Sequence, residues 1–360
     1  MKLNNLIKIL KNNKILIITG KKSFKKSGAE KKFYFLKKLN SYFYFKKSYI
    51  PEIQELKKII KFIKKIKPNY ILSIGGGAVL DLAKTSNFLW SKKNITSSII
   101  NSDYKKQKNF CPLIAVPTTA GSGAEVTSNA VIYVNKKKYS VEHKNIKPDN
   151  FILEPNFVKN NNSKLKTASG FDAIAQAVES LLSVRSSKIS VKYSISSLEN
   201  SLKNYLNYVS KPNSYNSKKM LIAANLSGSA INLTKTTAPH ALSYPFTARF
   251  GISHGHAVSL TFTDFLKFNF ENIHKSHTEF SLLSRMKILM KLSQTQNLEE
   301  LLKYFNHIKK KAKLEDNFRK LNINIQNNLQ VIMKDINLSR LSNNPVKVDY
   351  QTIKEILLKK

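Results

Sequence analysis

Cysteine occurs once in these 360 residues, at Cys111. A single thiol cannot form a disulfide framework within the chain or a cysteine-based zinc cluster, and it fits a reducing compartment. Long apolar runs are missing too: no window approaches the roughly 18 consecutive apolar residues of a membrane-spanning helix. Residues 1–14 are basic and polar, without the apolar stretch of a secretory signal. These absences predict a cytoplasmic protein with no membrane partner. Acidic residues are scarce, 22 against 61 basic ones, and the formal net charge is +39. Such an excess first points to nucleic acid, an anionic surface or an acidic substrate. Arginine, however, is also scarce: Arg185, Arg249, Arg285, Arg319 and Arg340 are all there are. Nucleic-acid readers favour arginine clustered on one face, whereas the lysines here are spread along the chain. Crowding by Lys, Asn and Ile is what AT-rich codon usage produces, so no nucleic-acid partner is expected. What is present is ample core material. With 42% hydrophobic and 10% aromatic residues, a disordered or fibrous chain is excluded. The length corresponds to about two domains.

The N-terminal part alternates β-branched runs with lysine-dotted helical stretches. Residues 14–19 (KILIIT) predict a strand, 28–39 and 52–66 helices, and 69–74 (NYILSI) a strand that ends in three glycines. Residues 113–117 and 129–133 supply further strands, with 139–143 and 151–153 as later ones. Alternation of this kind implies a parallel sheet covered on both faces. Beyond Pro155 helical spacing dominates, over 170–182, 189–209, 218–233, 254–268, 279–292 and 298–313. The expected layout is an α/β domain over 1–155 followed by an all-α domain over 156–360, with 159–163 (KNNNS) as linker. Residues after about 315 are polar and Asn-rich and carry no pattern.

Two segments have the chemistry of a dinucleotide cradle. GGGAVLDLAK, residues 75–84, follows a predicted strand and opens a helix, where free N–H groups and the helix dipole favour a pyrophosphate. It lacks the spacing of a GxGxxG fingerprint, and alone it is equally a plain tight turn. PTTAGSGAE, residues 117–125, is a second strand end running into small residues and hydroxyls. Farther on, Asp172 and Gln176 stand at i and i+4 on one helix face. Three of the seven histidines, His240, His254 and His256, fall in one short window. A carboxylate with two spaced imidazoles offers O and N ligands suited to Fe²⁺ or Zn²⁺.

At these residues the sequence resembles the iron-containing (group III) alcohol dehydrogenase family. The matching motifs are GGGAVLDLAK, PTTAGSGAE, GFDAIAQAVES, APHALSYP and SHGHA, in the family's order. The resemblance implies a Rossmann-like parallel-sheet domain followed by a helical metal-binding domain, a dehydroquinate synthase-like architecture, with hydride transfer in the cleft between them. Within the family, TASGFDAIAQAVES, INLTKTTAPHALSYP and RFGISHGHAVSL look most like the phosphonoacetaldehyde reductase branch.

Carried over by position, the resemblance makes Asp172, His240 and His254 metal ligands. The family's remaining ligand, a His four residues after the Asp, is Gln176 here, a neutral and weaker donor. Where many members carry a further His four residues after His240, this chain has Tyr244. His256, two residues after His254, cannot share its helix face, and Tyr244 and His256 are the implied proton relays. The cofactor positions are Gly75, Gly76, Gly77, Asp81, Thr118, Thr119, Ser122 and Lys138. After the first strand, Gly20 stands where NAD-preferring relatives often have Asp, followed by Lys21, Lys22 and Ser23; loss of the carboxylate favours NADPH and leaves NADH open. Fe²⁺ is the expected metal, with Zn²⁺ as the alternative, and the family implies a homo-oligomer, a dimer or larger. The implied reaction is reduction of phosphonoacetaldehyde to 2-hydroxyethylphosphonate. Lys235 and Thr236, with Arg185 and Arg249, are its candidate phosphonate partners, although both arginines equally suit structural ion pairs. Another small aldehyde, alcohol or phosphorylated polyol is the alternative substrate, since one scaffold serves many chemistries.

Overall fold

Residues 15–18 of the first strand are fully buried, because alternate side chains enter two different cores. In this computed structural model, which describes residues 1, 3–105, 107–135 and 137–359, the chain divides into two compact units, Met1–Asn162 and Ser163–Lys360. No helix among the described residues is long and apolar enough to cross a membrane.

The first unit is built on five parallel strands in the order β2-β1-β3-β4-β7: β1 Ile15–Gly20, β2 Ser41–Lys46, β3 Tyr70–Gly75, β4 Leu113–Pro117 and β7 Asn150–Phe151. Leu16 and Ile18 pack with Leu56, Ile59 and Ile63 of helix α2 (Ile53–Ile66) on one face. Ile15 and Ile17 pack with Leu6 and Leu10 of α1 (Leu3–Leu10) and with Phe33 and Phe157 on the other. This two-sided burial is why β1, β3 and β4 read as continuous apolar runs. Register pairs Gly20 with Lys46 and Gly75 with Pro117, so these strands end at one edge of the sheet.

Two expectations are corrected and one element is added. Residues 28–39 are not one helix: Gly28, at φ +83, separates the short helices Lys21–Lys26 and Ala29–Lys32, and a 3₁₀ turn follows over Tyr34–Lys38. The aromatic run SYFYFK, for which no element was expected, is the edge strand β2. Residues 129–133 and 139–143 do not extend the parallel sheet; β5 (Asn129–Val134) and β6 (Lys137–Glu142) form a separate antiparallel pair. Two residues between strands are too few for the crossover that parallel pairing requires.

The second unit is helical: α4 Ser163–Leu182, α5 Lys188–Ser210, α6 Ser214–Thr234, α7 Ala238–Phe250, α8 His254–Glu271, α9 Leu282–Ser293, α10 Leu298–Lys311, α11 Ile325–Lys334 and α12 Tyr350–Leu358, after α3 Gly77–Phe88 of the first unit. The stretch beyond residue 315 is structured. Phe318, Ile323, Ile325, Ile332, Ile336, Ile353 and Leu357 bury themselves against Ala238, Leu242 and Phe246 of α7 and Leu260 of α8. Its asparagines work as caps: Asn324 accepts from Asn327 N, and Asn337 from Arg340 N, at the starts of α11 and of Leu338–Leu341. Pro245 sits inside α7 and cannot donate to Ala241 O; that carbonyl is met instead by Asn337 N at 3.4 Å.

Candidate active site

Gly75, Gly76 and Gly77 lie where β3 turns into α3, beside the loop that leaves β4. A Cβ on Gly76 would stand 3.2 Å from the Thr119 side chain, and one on Gly77 would stand 2.9 Å from Ser122 Oγ. The two predicted turns are therefore in close contact, and a side chain at Gly76 or Gly77 would have to displace Thr119 or Ser122. Gly76 caps α3 without a side-chain bond, leaving first-turn N–H groups for an anionic ligand. Beneath the turns, Lys84 is 1% exposed and donates from Nζ to Ala124 O (2.9 Å), Thr127 Oγ1 (3.0 Å) and Asn129 O (2.5 Å). Burial pulls its ammonium down to about 8, against the opposing carboxylates of Asp81 and Glu125. Asp81 Oδ2 accepts from Val131 N, and burial pushes its carboxyl up to about 6 against the pull of Lys84 and Lys138. Asp81 and Lys138 thus share one electrostatic neighbourhood. At the same sheet edge, Ser23 Oγ donates to Gly20 O, and Lys21 opens the short helix that follows.

In the helical unit, Asp172, Gln176 and Glu179 form one buried stripe along α4. Gly255 brings α8 against that stripe: a Cβ there would lie 1.9 Å from Ala168 O and 2.8 Å from Asp172 Cβ. His240 Nε2 lies 3.2 Å and His254 Nε2 3.9 Å from Asp172 Oδ1, and the two imidazole centroids are 5.3 Å apart. One ligand atom from each of Asp172, His240 and His254 falls within 4.8 Å of the others.

The other ring nitrogens are held. His240 Nδ1 is 2.5 Å from Glu179 Oε1, while Glu179 Oε2 accepts from Thr237 N (2.7 Å) and Thr237 Oγ1 (3.0 Å). Ser243 Oγ donates to His240 O at 2.7 Å, so its lone pair faces His254 Nδ1 at 3.4 Å. Both imidazoles therefore present Nε2 to Asp172, the arrangement of metal-binding histidines oriented from behind. Burial alone lowers the His240 pKa, but Glu179 and Asp172 outweigh it and raise it to about 10. A pocket that stabilises a buried cation between two carboxylates fits a divalent ion in the place of that proton.

Gln176 is engaged on both sides. Its Nε2 donates to Asp172 Oδ2 at 3.3 Å, and its Oε1 accepts from Ser227 Oγ of α6 at 3.0 Å. Tyr244, 8% exposed, has its ring 6.2 Å from that of His254. His256 is outside the cluster: Nε2 is 2.6 Å from Glu315 O, and burial lowers its pKa. Lys235 closes α6 at φ +63 and ψ −179, a conformation that favours glycine. The loop around it is pinned, with Ser183 Oγ donating to Thr234 O, Asn343 Nδ2 to Thr236 O, and Thr237 held by Glu179. Arg249 Nε pairs with Asp335 Oδ2 at 2.5 Å, the structural ion pair that was its alternative role, and Arg185 is exposed. Glu179, Ser227 and Lys84 were not expected from the sequence. A signal existed for Glu179, which is seven residues from Asp172 and so falls on the same helical stripe.

A glycine-turn parallel-sheet unit and a helical unit with a two-histidine, one-carboxylate cluster define a class of dinucleotide- and metal-linked proteins. Residues 1–155 match the iron-containing alcohol dehydrogenase domain, and residues 166–360 match the C-terminal domain of the same family. The chain belongs to the iron-containing alcohol dehydrogenase family. It is 30% identical over 226 residues to 4-hydroxybutyrate dehydrogenase of Clostridium kluyveri, covering 61% of this chain and 60% of that protein. To phosphonoacetaldehyde reductase of Streptomyces viridochromogenes it is 29% identical over 224 residues, 58% of this chain and 55% of that protein. Each match thus spans less than two thirds of the relative's length. Sulfoacetaldehyde reductase from Bifidobacterium kashiwanohense, solved in complex with NAD+, shares the fold with a TM-score of 0.87 over 99% of this chain and 93% of that one, at 22% identity.

Proposed function

We propose that the protein is an NAD(P)H-dependent aldehyde reductase that converts phosphonoacetaldehyde to 2-hydroxyethylphosphonate with a divalent ion at Asp172, His240 and His254. The observation that carries this reading is Glu179, which holds the ligand His240 with one oxygen and the Lys235–Thr237 loop with the other. When bound, the metal supplies Lewis-acid polarisation of a carbonyl, and the nicotinamide supplies hydride. Glu179 and Ser243 fix the tautomers of His240 and His254, so both Nε2 lone pairs are available to the ion. Tyr244, buried beside His254, relays a proton to the product oxygen. Lys235, with Thr236 beside it, meets the phosphonate dianion by charge and hydrogen bonding. The turns at Gly75–Gly77 and Thr118–Ser122 take the pyrophosphate, and Gly20 with Lys21 leaves room and positive charge for a 2′-phosphate, favouring NADPH.

The 30% identity to 4-hydroxybutyrate dehydrogenase favours a second reading, an aldehyde that carries a carboxylate. Oxidation of NADPH and NADH with phosphonoacetaldehyde, 4-oxobutanoate and acetaldehyde tests both. The first reading expects the highest kcat/KM with phosphonoacetaldehyde; a higher value with 4-oxobutanoate selects the second, and equal values for all three overturn both.

A further inference from the structure

Gln176 occupies the position from which the family supplies a fourth metal ligand, yet its amide is committed elsewhere. An amide oxygen turned toward Asp172 Oδ2 at 3.3 Å would set two acceptors face to face, so the NH₂ group must point there. That leaves Oε1 toward Ser227 Oγ, which is 3.0 Å away and buried on α6. Ser227 Oγ also lies 3.1 Å from Ala224 O, so its one proton is shared between that carbonyl and Gln176 Oε1. Asp172 is thereby held through Oδ2 while Oδ1 faces His240 and His254. His240 and His254 have holders of the same kind in Glu179 and Ser243.

Resting on the metal reading above, we infer that Gln176 is a positioning residue for Asp172, itself oriented by Ser227, and that the ion has three protein ligands, Asp172, His240 and His254. The chain has exchanged a ligand for a hydrogen-bond relay that runs Ser227 to Gln176 to Asp172. A carboxylate oriented from behind binds metal more tightly than one free to rotate, and loss of such a partner typically weakens affinity about 10–100-fold.

The test uses the full-length protein stripped of metal and reloaded with Co²⁺, whose d–d absorption reports coordination number and ligand type, together with competitive titration of Zn²⁺. Gln176→Leu removes the amide; Ser227→Ala removes only a buried hydroxyl and keeps the fold. Unchanged Co²⁺ band positions and absorptivities in both variants are expected, with Zn²⁺ affinity about 10–100-fold weaker in each. A shift of the Co²⁺ bands in Gln176→Leu makes Gln176 a ligand and overturns the inference alone. Wild-type Zn²⁺ affinity in Ser227→Ala overturns the relay. A wild-type chain that takes up neither ion overturns the metal reading and this inference together.

Discussion

Replacing Lys84 with Met tests whether one buried cation sets the spacing of the turns at Gly75–Gly77 and Thr118–Ser122. Met matches the length of the aliphatic stem but strands Ala124 O, Thr127 Oγ1 and Asn129 O, which the ammonium now bonds at 2.5–3.0 Å. Each stranded acceptor costs about 1–3 kcal/mol. Against that, the folded chain no longer holds a cation whose pKa burial lowers from 10.5 to about 8, a relief of about 3 kcal/mol. Three such acceptors cost about 3–9 kcal/mol together, so the balance is a loss of about 0–6 kcal/mol at pH 7, its middle near the lower end for breaking a buried charged network. The pH dependence is more discriminating. Between about 8 and 10.5 the folded wild type binds fewer protons at Lys84 than the unfolded chain, so this group makes stability rise with pH across that window. Urea denaturation of both proteins at pH 7 and pH 10 measures the difference, and the gap between them should widen at the higher pH. Asp81 works in a separate window: its carboxyl is raised from 3.8 to about 6, so its folded-state penalty appears as pH climbs through that range. NADPH, titrated by its fluorescence, should bind Lys84→Met more weakly while Zn²⁺ affinity of the helical unit is unchanged. A gap that stays flat between pH 7 and 10 refutes the role assigned to this lysine.

Gly255→Ala should be severe, costing about 4 kcal/mol or more, because its Cβ would sit 1.9 Å from Ala168 O; a Tm scan showing a shift of only a few degrees contradicts the close approach of α8 to α4. Lys235→Ala should raise KM for phosphonoacetaldehyde far more than for acetaldehyde, whereas a uniform loss with both places the lysine outside the phosphonate site. Lys235→Gly should share that defect yet be about 1 kcal/mol more stable than Lys235→Ala, since glycine relieves the backbone at φ +63. Chelation should abolish aldehyde reduction and Fe²⁺ or Zn²⁺ should restore it; full activity in protein shown by elemental analysis to be metal-free defeats the Lewis-acid reading.

The parts of the fold that were legible in the sequence are those where one physical demand dominates. Ile15, Leu16, Ile17 and Ile18 are buried on both faces, so β1 had to be an unbroken apolar run. The edge strand β2, exposed at Tyr42 and Phe45 and half-buried elsewhere, has no such signature, and 28–39 kept helical composition although its helix stops at Lys32 and gives way to a 3₁₀ turn. At the site, the residue types of the Asp172, His240 and His254 cluster could be read because few side chains bind metals. Of their holders, Glu179 gave only its place on the Asp172 stripe, while Ser227 and Ser243 are ordinary residues whose roles depend on helices brought together from distant parts of the chain. The asparagines after residue 315 were misread for a related reason. Asn is a poor interior residue but a good N-cap, so a run that looks patternless contains helix starts at Asn324 and Asn337.

Pro245 gives the order of assembly a chemical reason. By leaving Ala241 O without its helical donor, it makes the His240 helix depend on Asn337, nearly a hundred positions later, just as Thr236 O depends on Asn343. During synthesis at about 5–20 residues per second, α4, α6 and α7 emerge seconds before those partners do. The ligand side chains thus exist in the nascent chain before the backbone that steadies them, and a metal ion arriving early would meet an unfinished pocket. Completion of the pocket therefore waits for Asn337 and Asn343, in an Asn-rich and inconspicuous stretch of the sequence.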